Sequence, residues 1–481
     1  MFISLDTYIN KYKYKYLALY HYFRDLILDG QLQKGSRLPS TREVAIDYGL
    51  NRNTVSLAYD MLLSEGYTEA IKGSGTFVSF SFVDQSVKEE SNEREVRLSD
   101  WGKMLPRQGE NVRSNQKKII DFGSGFDPDL ENFPSLDWKK AVNHSIKESD
   151  YLLSLKTLPV EGIGPLRESI SSYLLRAKGL KASADDIIIL NGSMHGISIL
   201  LHLLVKPGDK VVIEDPGFKR IKDVIHTTGG IPLPVSVLDE SFMNASWDSH
   251  LAYVTPSYQY PTGKIMPMEQ RIKLLQWASE KGAIIIEDDY DSDFRRKGRA
   301  IEPLKVLDTG QRVVYLGTFT KTIMPSLRIG FAVVPPYLKH VFLEAKHLFE
   351  PYTTSVLEQL AISSFIKSGA YERHIRRMNR IYTQKYHVFK RLMEEHLRDL
   401  FTWEESQAGF HLFAWWKRSA EEYLLFVQNC QEEGLYWPTI QRGFVNEPAR
   451  KAVIFGYSHL STEQMENAIQ IMAKHGRQGL K

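Results

Sequence analysis

Two stretches of the sequence decide the fold of the larger part of the chain. Residues 283–290 are AIIIEDDY, and residues 313–321 are VVYLGTFTK. Each begins with a short apolar run typical of a buried strand and ends in polar side chains. Such runs alternate with helical patterns from residue 186 onward, which predicts an α/β fold with a mostly parallel sheet covered by helices on both faces. Because ligands bind beyond the carboxyl ends of strands in such sheets, the polar ends of both stretches are candidate site residues.

An acid, a tyrosine and a lysine stand at these strand ends. A buried acid such as Asp288 is costly unless it has a partner, and a protonated pyridine nitrogen would be one. Tyr290 could bond a 3-oxygen on the same ring, and Lys321 could form a Schiff base with an aldehyde on it. These residue types indicate pyridoxal 5′-phosphate as cofactor. Three more residues suit its phosphate group: Thr318, Thr320 and Arg328.

Two earlier strand ends carry weaker signals. Gly192, Ser193 and Met194 follow a strand and open a helix, so their N–H groups and hydroxyl could hold a phosphate, although Gly-Ser also serves ordinary turns. Phe218 follows the next strand, where it is either a ring-stacking residue or a core phenylalanine. A metal site on residues 287–289 is an alternative, but it lacks a further His or acid at convincing spacing.

Residues 1–80 have a different pattern, which predicts a winged helix. The first helix repeats apolar residues from Tyr16 to Ile27, and a capping box from Ser40 to Glu43 opens the second. A third helix begins at about residues 51–53. Two β-prone runs, residues 67–71 and 76–80, then form a hairpin around a basic turn. The third helix carries one apolar face: Val55, Ala58, Tyr59, Leu62 and Leu63.

The polar side of this predicted winged helix could contact double-stranded DNA. The N-terminal end of a recognition helix enters the major groove, and the residues there can bond phosphates or base edges. Arg42 on the second helix and Lys72 on the wing could hold the backbone. The alternative is a small helical domain with a solvated polar face, since residues 1–80 hold nine Lys and Arg against eight Asp and Glu. The recognition-helix candidates are Arg52, Asn53, Thr54 and Ser56.

The composition of the chain excludes several classes of protein. The 481 residues carry 61 Lys and Arg against 58 Asp and Glu, so a net charge of +3 indicates no partner by itself. A single cysteine, Cys430, excludes an internal disulfide framework and a cysteine metal cluster. No run approaches the ~18 apolar residues of a membrane span, and no secretory signal is present, so we expect no membrane contact and a cytoplasmic protein.

A polar segment separates the two halves. Residues 81–118 contain few aliphatic side chains and both charge signs, which predicts a linker, with a partly helical segment packed on a neighbour as the alternative. The expected domains are therefore a winged helix at 1–80, a linker at 81–118 and an α/β domain at 119–481, with a small C-terminal subdomain from about residue 350.

Both halves resemble known families. The stretch GSRLPSTRE at 35–43 and the GSGTFV wing at 73–78 are similar to the GntR-type winged helix. The stretch YVTPSYQYPTG at 253–263 and PVEGIGPLR at 159–167 are similar to fold-type I class-I aminotransferases. Together they resemble the MocR/GabR family of bacterial transcription regulators.

This resemblance implies roles for the candidate residues. Lys321 would hold pyridoxal 5′-phosphate as an aldimine, Asp288 would pair with its pyridine nitrogen, Tyr290 with its 3-oxygen, and Phe218 would stack on the ring. The resemblance also implies a head-to-tail homodimer that binds operator DNA and senses a small amine or amino acid. The phosphate would be surrounded by Gly192, Ser193, Thr318, Thr320 and Arg328.

The chain departs from the family pattern at three positions. Tyr260 replaces the asparagine of the aminotransferase NPTG element, Thr157 stands where many have a tyrosine, and His459 stands where one branch has a carboxylate-binding arginine. An imidazole does not replace a bidentate guanidinium, so Arg220 and Arg442 are substitute candidates for holding an effector. Two alternatives stay open: a working aminotransferase with an added DNA-binding domain, and a sensor of pyridoxal phosphate itself.

Overall fold

The structure is a computed structural model that divides into two compact units, Met1–Arg97 and Leu98–Lys481. We describe each unit by itself. The structure describes residues 5–80, 98–105, 120–123, 129–148, 150, 158–239, 242, 246–296, 301–438, 440–446 and 448–478.

The first unit consists of helices around one apolar core, followed by a hairpin. Four of the five residues predicted for the inner face of its last helix are buried: Val55, Ala58, Tyr59 and Leu62. The fifth, Leu63, is 42% exposed. Leu63 was therefore wrongly assigned to that face, because it lies at the edge of the apolar stripe in the last helical turn. The helices are α1 (Leu5–Lys11), α2 (Lys15–Leu28), α3 (Thr41–Asp47) and α4 (Arg52–Ser64).

Side-chain caps set where α3 and α4 begin. Ser40 accepts a hydrogen bond from the Glu43 backbone N–H at 3.2 Å, and the Glu43 carboxylate accepts one from the Ser40 N–H at 2.6 Å. Asn51 accepts a hydrogen bond from the Asn53 N–H at 2.9 Å. Both satisfy backbone donors that a helix leaves unpaired at its start. The capping box predicted from the sequence is present, and α4 begins within the predicted range.

The hairpin has the predicted position with shorter strands. Its strands β1 (Thr68–Ile71) and β2 (Gly75–Val78) are antiparallel, with Thr68 opposite Val78. Gly75 has φ 120, and a Cβ there would lie 2.9 Å from Nε of Arg37. A glycine is therefore needed where the wing turns back along the residues that precede α3.

Helix α1 has no counterpart among the sequence-based predictions. Its Leu5 and Tyr8 are buried, and the Tyr8 hydroxyl donates to Asp25 of α2 at 2.8 Å. The seven-residue helix is thus held by packing on α2 rather than by its own length.

Part of the predicted linker lies within the described residues. Helix α5 (Asp100–Met104) begins at a Ser99 cap and buries none of its residues. Residues 81–97 and 106–118 of the predicted linker lie outside the described residues.

The second unit is built on a seven-stranded sheet in the order β4-β10-β9-β8-β7-β5-β6. Of these strands only β10 runs antiparallel to its neighbours, which agrees with the predicted mostly parallel sheet. The strands are β4 (Ile187–Leu190), β5 (Lys210–Asp215), β6 (Ile231–Ser236), β7 (Leu251–Val254), β8 (Ile284–Asp289), β9 (Val313–Thr318) and β10 (Gly330–Val333).

Helices cover both faces of this sheet. In β4, Ile187 and Ile189 belong to one apolar cluster, whereas Ile188 and Leu190 belong to another, because successive side chains of a strand point to opposite faces. The helices are α6 (Ser135–Lys147), α7 (Gly164–Lys178), α8 (Ser193–Leu204), α9 (Lys219–Thr227), α10 (Met268–Lys281), α11 (Leu304–Leu307), α12 (Pro336–Phe349) and α13 (Val356–Lys367).

The C-terminal residues form a further core. The long helix α14 (Ala370–His396) contributes Tyr371 to a cluster on the large sheet and Phe389 to this C-terminal core. Within the described residues no helix is long and apolar enough to cross a membrane. The remaining elements are β3 (Ile120–Asp121), β11 (Phe401–Trp403), β12 (His411–Trp416), α15 (Ala420–Glu432), β13 (Leu435–Tyr436), β14 (Ala452–Gly456) and α16 (Thr462–Gln478).

Candidate functional site

A cavity of about 380 Å³ lies at the carboxyl ends of the large sheet. The ends of β4, β5, β8 and β9 all contribute to its wall, as expected for a parallel sheet. The structure brings together on this wall all ten residues predicted for the cofactor: Gly192, Ser193, Met194, Phe218, Asp288, Tyr290, Thr318, Thr320, Lys321 and Arg328.

Asp288 is buried at the end of β8 and accepts one hydrogen bond within the described residues. The Tyr253 hydroxyl donates to its Oδ2 at 2.7 Å, while its Oδ1 has no hydrogen-bond partner there. Burial raises the pKa of Asp288 to about 7, the Tyr253 hydrogen bond opposes that rise, and neighbouring Asp289 adds to it. A cation or N–H donor at Oδ1 would stabilise the ionised form.

The two neighbouring acids face other partners. Glu287 accepts hydrogen bonds from the backbone N–H groups of Leu304 at 2.7 Å and Lys305 at 2.9 Å. Asp289 accepts from Lys178 at 2.8 Å, and although burial opposes its ionisation, Lys178 holds the pKa of Asp289 below its usual value. The three carboxylates thus serve different contacts, which argues against a shared metal site on residues 287–289.

Among the wall residues predicted from the sequence, two more polar atoms are buried without a hydrogen-bond partner in the described part of the chain. They are the Tyr290 hydroxyl and the Thr320 Oγ1. Buried polar groups left unpaired destabilise a fold unless a ligand or water satisfies them. With Asp288 Oδ1 they offer contacts for a ring nitrogen, a ring oxygen and a phosphate, so these residues fit pyridoxal 5′-phosphate.

The phosphate end of the cavity combines a helix N-terminus with a guanidinium. Gly192 has φ 83 and precedes Ser193, the first residue of α8. A Cβ on Gly192 would lie 3.2 Å from Nη2 of Arg328, so the guanidinium packs directly over this glycine. Arg328 itself has a left-handed backbone with φ 48, a strained conformation for a side-chain-bearing residue. This arrangement favours a bound anion.

Sequence reasoning missed four wall residues: Tyr253, Asp291, Pro325 and Phe410. Asp291 is 1% exposed, and neither carboxylate oxygen has a hydrogen-bond partner among the residues that the structure describes. Burial raises the pKa of Asp291 well above its usual value, Asp289 adds to this, and Lys321 opposes it. A fourth acid directly after Glu287-Asp288-Asp289-Tyr290 was the available signal, since the strand end places it beside the cavity.

The candidate effector-binding residues are not brought together. Arg220 lines the cavity and is exposed, which places it at the rim. His459 does not belong to the cavity wall that the described residues form. Arg442 lies in a short helix, Gln441–Gly443, and its side chain lies outside the described part. Of the family departures, Tyr260 lines the cavity, where burial raises its pKa to about 12, and Thr157 lies outside the described residues.

The candidate DNA-contacting residues lie on the first unit. Arg52 and Asn53 are exposed at the start of α4, where Thr54 and Ser56 are half-buried. Arg42 is exposed on α3, and Lys72 is exposed at the hairpin turn. Their contact with DNA stays a prediction.

The fold and the cavity define a class of protein that joins a winged-helix unit to a fold-type I aminotransferase domain. The family described as aminotransferase class I and II matches residues 117–471, and the family described as bacterial regulatory proteins, gntR family, matches residues 15–78. A probable rhizopine catabolism regulatory protein, MocR of Rhizobium meliloti, is 35% identical over 94% of this chain and 91% of its own. This chain therefore belongs to the MocR-type family of GntR-type winged helices joined to aminotransferase domains.

Solved structures agree with the fold of the second unit. A kynurenine aminotransferase of Pyrococcus horikoshii matches with a TM-score of 0.71 and 23% identity, over 80% of this chain and 98% of its own. LysN, an α-aminoadipate aminotransferase of Thermus thermophilus, matches with a TM-score of 0.69 and 22% identity, over the same shares of the two chains. At these identities the likeness shows the fold alone.

Proposed function

We propose that this protein is a cytoplasmic transcription regulator that binds operator DNA and senses a small amine or amino acid with the help of pyridoxal 5′-phosphate. The observation that carries the proposal is the cavity around Lys321, with its unpaired Asp288, Tyr290 and Thr320 atoms, in a chain that also has a winged helix. The similarity to the regulatory protein MocR over 94% of the chain supports the regulatory role.

The residues of the cavity would hold the cofactor from all sides. Asp288 would hold the proton of the ring nitrogen, Tyr290 would donate to the ring oxygen, and Phe218 would pack on the ring. When bound, pyridoxal phosphate supplies an aldehyde that bonds reversibly to amines. The phosphate would be held by the N-terminus of α8 and by Ser193, Thr318, Thr320 and Arg328.

Lys321 is the group that an arriving amine would displace. Its Nζ would be released into a cavity that also contains Asp288 and Asp291, both buried. The charge of the cavity would change as a result. If the effector carries a carboxylate, Arg220 at the rim is the wall arginine left for it once Arg328 holds the phosphate.

An exposed apolar face on the second unit supports a homodimer. Tyr337, Val341 and Leu348 are exposed on α12 at intervals of four and seven residues, and Leu348 is 77% exposed. The loop after α12 contacts the residue that precedes Gly192 at the phosphate end of the cavity, because Thr354 Oγ1 donates to Asn191 Oδ1 at 2.8 Å. A second copy seated on this face in a head-to-tail arrangement would cover apolar surface beside the site.

Regulation would follow from a change in dimer geometry. A ligand shifts a conformational equilibrium only when it binds two states with different affinity. Two winged helices of a dimer must match half-sites about 34–36 Å apart or a multiple of this, so a small rotation of the large domains would change operator affinity.

The test is to follow the visible absorption of the cofactor-loaded protein during titration with amines and amino acids, and to measure operator binding in parallel. A compound that gives a stable spectral change and alters DNA affinity supports the sensor. Conversion to the amine form of the cofactor with recovery on adding a keto acid would instead identify an aminotransferase. A full change in DNA affinity with pyridoxal phosphate and no amine would identify the cofactor itself as the signal.

A further inference from the structure

Most of helix α14 carries an unusual charge distribution. Residues 373–393 contain seven Lys and Arg and no Asp or Glu. Four of these cations are exposed and spaced i, i+3, i+4 and i+7, so they share one side of the helix. We call this surface the arginine face: Arg373, Arg376, Arg377 and Arg380.

A groove of about 590 Å³ borders the arginine face. Arg176 and Arg295 line it together with Arg373 and Arg376. Its two acids are already engaged, since Glu372 pairs with Arg176 at 2.6 Å and Asp293 pairs with the buried Lys178 at 3.3 Å. The groove therefore adds to the positive charge of the face.

The arginine face has no carboxylate within ion-pair distance among the residues that the structure describes. Arg373 donates to the Ser368 carbonyl at 3.1 Å, and Arg377 donates to the Asn132 side-chain oxygen at 3.4 Å. Both acceptors are uncharged. Like charges at these spacings repel each other, so the face is suited to a ligand that brings several negative charges.

The winged helix has little net positive charge of its own. Residues 1–80 carry nine Lys and Arg against eight Asp and Glu, a difference of one positive charge. Contacts to phosphates supply most of the sequence-independent affinity of DNA-binding proteins. Because its net surplus is so small, the winged helix attracts a polyanion only weakly as a whole, so a basic surface elsewhere on the chain would add to the contacts expected of Arg42 and Lys72.

We propose that the arginine face binds the sugar–phosphate backbone of double-stranded DNA as a second, sequence-independent contact. Arg373 and Arg380 are seven residue steps apart, which is about 10.5 Å along the helix axis. A duplex of that length carries about six phosphate charges. Arginine forks match phosphate oxygens in geometry as well as charge. This inference rests on the proposed function only in that the chain binds DNA.

The experiment compares two full-length triple variants with the same change in charge. Arg376→Gln, Arg377→Gln and Arg380→Gln together remove most of the face. Arg391→Gln, Arg398→Gln and Lys417→Gln together remove three exposed cations elsewhere, and serve as the control. The probe is a labelled duplex of about 60 bp with one arbitrary sequence, titrated at about 50 to 200 mM salt, because salt dependence reports phosphate contacts.

The proposal predicts that the face variant loses about 2.7 from the slope of log affinity against log salt. Between about 50 and 200 mM its affinity would then fall about 40-fold less than that of the wild type. The control variant would keep the wild-type slope, and both variants would keep the wild-type melting temperature and cofactor spectrum.

Equal slopes for the face variant, the control variant and the wild type would overturn the proposal while leaving winged-helix binding intact. An equal loss of slope in both variants would also overturn it, since net charge rather than this surface would then be responsible. If the wild type bound neither this duplex nor operator DNA, the DNA-binding part of the proposed function would fail as well. Arg52→Ala separates the two surfaces, because its effect should add to that of the face variant.

Discussion

The cavity of the second unit and the recognition surface of the first unit use polar residues in opposite ways. In the cavity, Asp288, Asp291 and Thr320 are buried and keep oxygens without a hydrogen-bond partner in the described part of the chain. On α4, Arg52 and Asn53 are exposed to solvent. Burial makes an unsatisfied group costly, so its presence indicates a ligand, whereas an exposed polar group can simply be hydrated. The structure therefore supports a ligand site in the cavity more directly than a DNA contact on the helix.

The largest expected effect is that of Lys321→Ala on the cofactor spectrum and on the response to amines, and it tests the cavity side of this comparison. The variant should lose the absorption band of the lysine-bound cofactor and the DNA-binding response to amines, because no other lysine that an amine could displace lines the cavity within the described residues. Basal DNA binding should remain. Absorption spectra measure the state of the cofactor, and fluorescence anisotropy with operator DNA measures binding. A retained DNA-binding response to amines would show that displacement of Lys321 is not the signal.

The next largest effect is expected on the stability of the fold, from a buried ion pair that involves Asp289, the neighbour of Asp288. Lys178 pairs with Asp289 at 2.8 Å and with Asp293 at 3.3 Å, and its side chain is 3% exposed. Lys178→Met would leave both acids without this cation and lower the free energy of unfolding by about 3–5 kcal/mol. Lys103→Met, at an exposed pair with Asp100, is the control and should change stability by less than about 0.5 kcal/mol. Denaturant unfolding curves measure the free energy of unfolding of both variants. Similar losses in the two variants would show that the Lys178 ion pairs do not stabilise the fold.

The stability of the cofactor-free protein should fall as pH rises. Burial raises the pKa values of Glu214, Glu287 and Asp288 to about 7 in the folded chain, above those of the unfolded chain. The folded state then binds more protons, so this contribution is complete below about pH 4 and is lost as pH rises through about 7.

Bound cofactor should reduce this pH dependence. The pyridine nitrogen proton would favour ionised Asp288, and each pKa unit removed corresponds to about 1.4 kcal/mol. Melting temperatures of both forms between about pH 5 and 8 provide the measurement. Identical pH profiles would show that Asp288 does not face the ring nitrogen.

Arg52→Ala tests the exposed surface. It should weaken operator binding by about 1–3 kcal/mol and leave the cofactor spectrum unchanged, because Arg52 is on the first unit. Measuring a series of operator variants distinguishes its role. A loss at one base position indicates base contact, whereas a uniform loss indicates phosphate contact, and unchanged affinity removes Arg52 from the interface.

The smallest effect is expected for Ser40→Ala. The variant loses the capping box at the start of α3 and should lower the stability of the first unit by about 1 kcal/mol. Thermal unfolding followed by a winged-helix signal measures this change. Ser79→Ala, which removes an exposed hydroxyl bonded to the Gly66 carbonyl, is a control outside the cap.

Local sequence chemistry determined the elements and the ends of the strands. The Ser40 cap, the apolar runs of β8 and β9, and the polar residues after them depend on neighbours a few positions away. For that reason all ten predicted cofactor residues reach one cavity wall. Helix α1 and the exposure of Leu63 could not be predicted, because both depend on packing against α2 and the rest of the core.

Only the tertiary structure decided which partner each acid receives. Asp288 meets Tyr253 across 35 residues of sequence, and Lys178 meets Asp289 across 111. The sequence alone presents Glu287, Asp288 and Asp289 as equivalent neighbours. Because successive side chains of a strand point to opposite faces, and because distant segments pack on each face, the three acids have different surroundings. Asp288 therefore keeps one carboxylate oxygen without a hydrogen-bond partner in the described part of the cavity. The sequence thus determined which side chains stand at the strand ends, and folding determined which of them face a ligand.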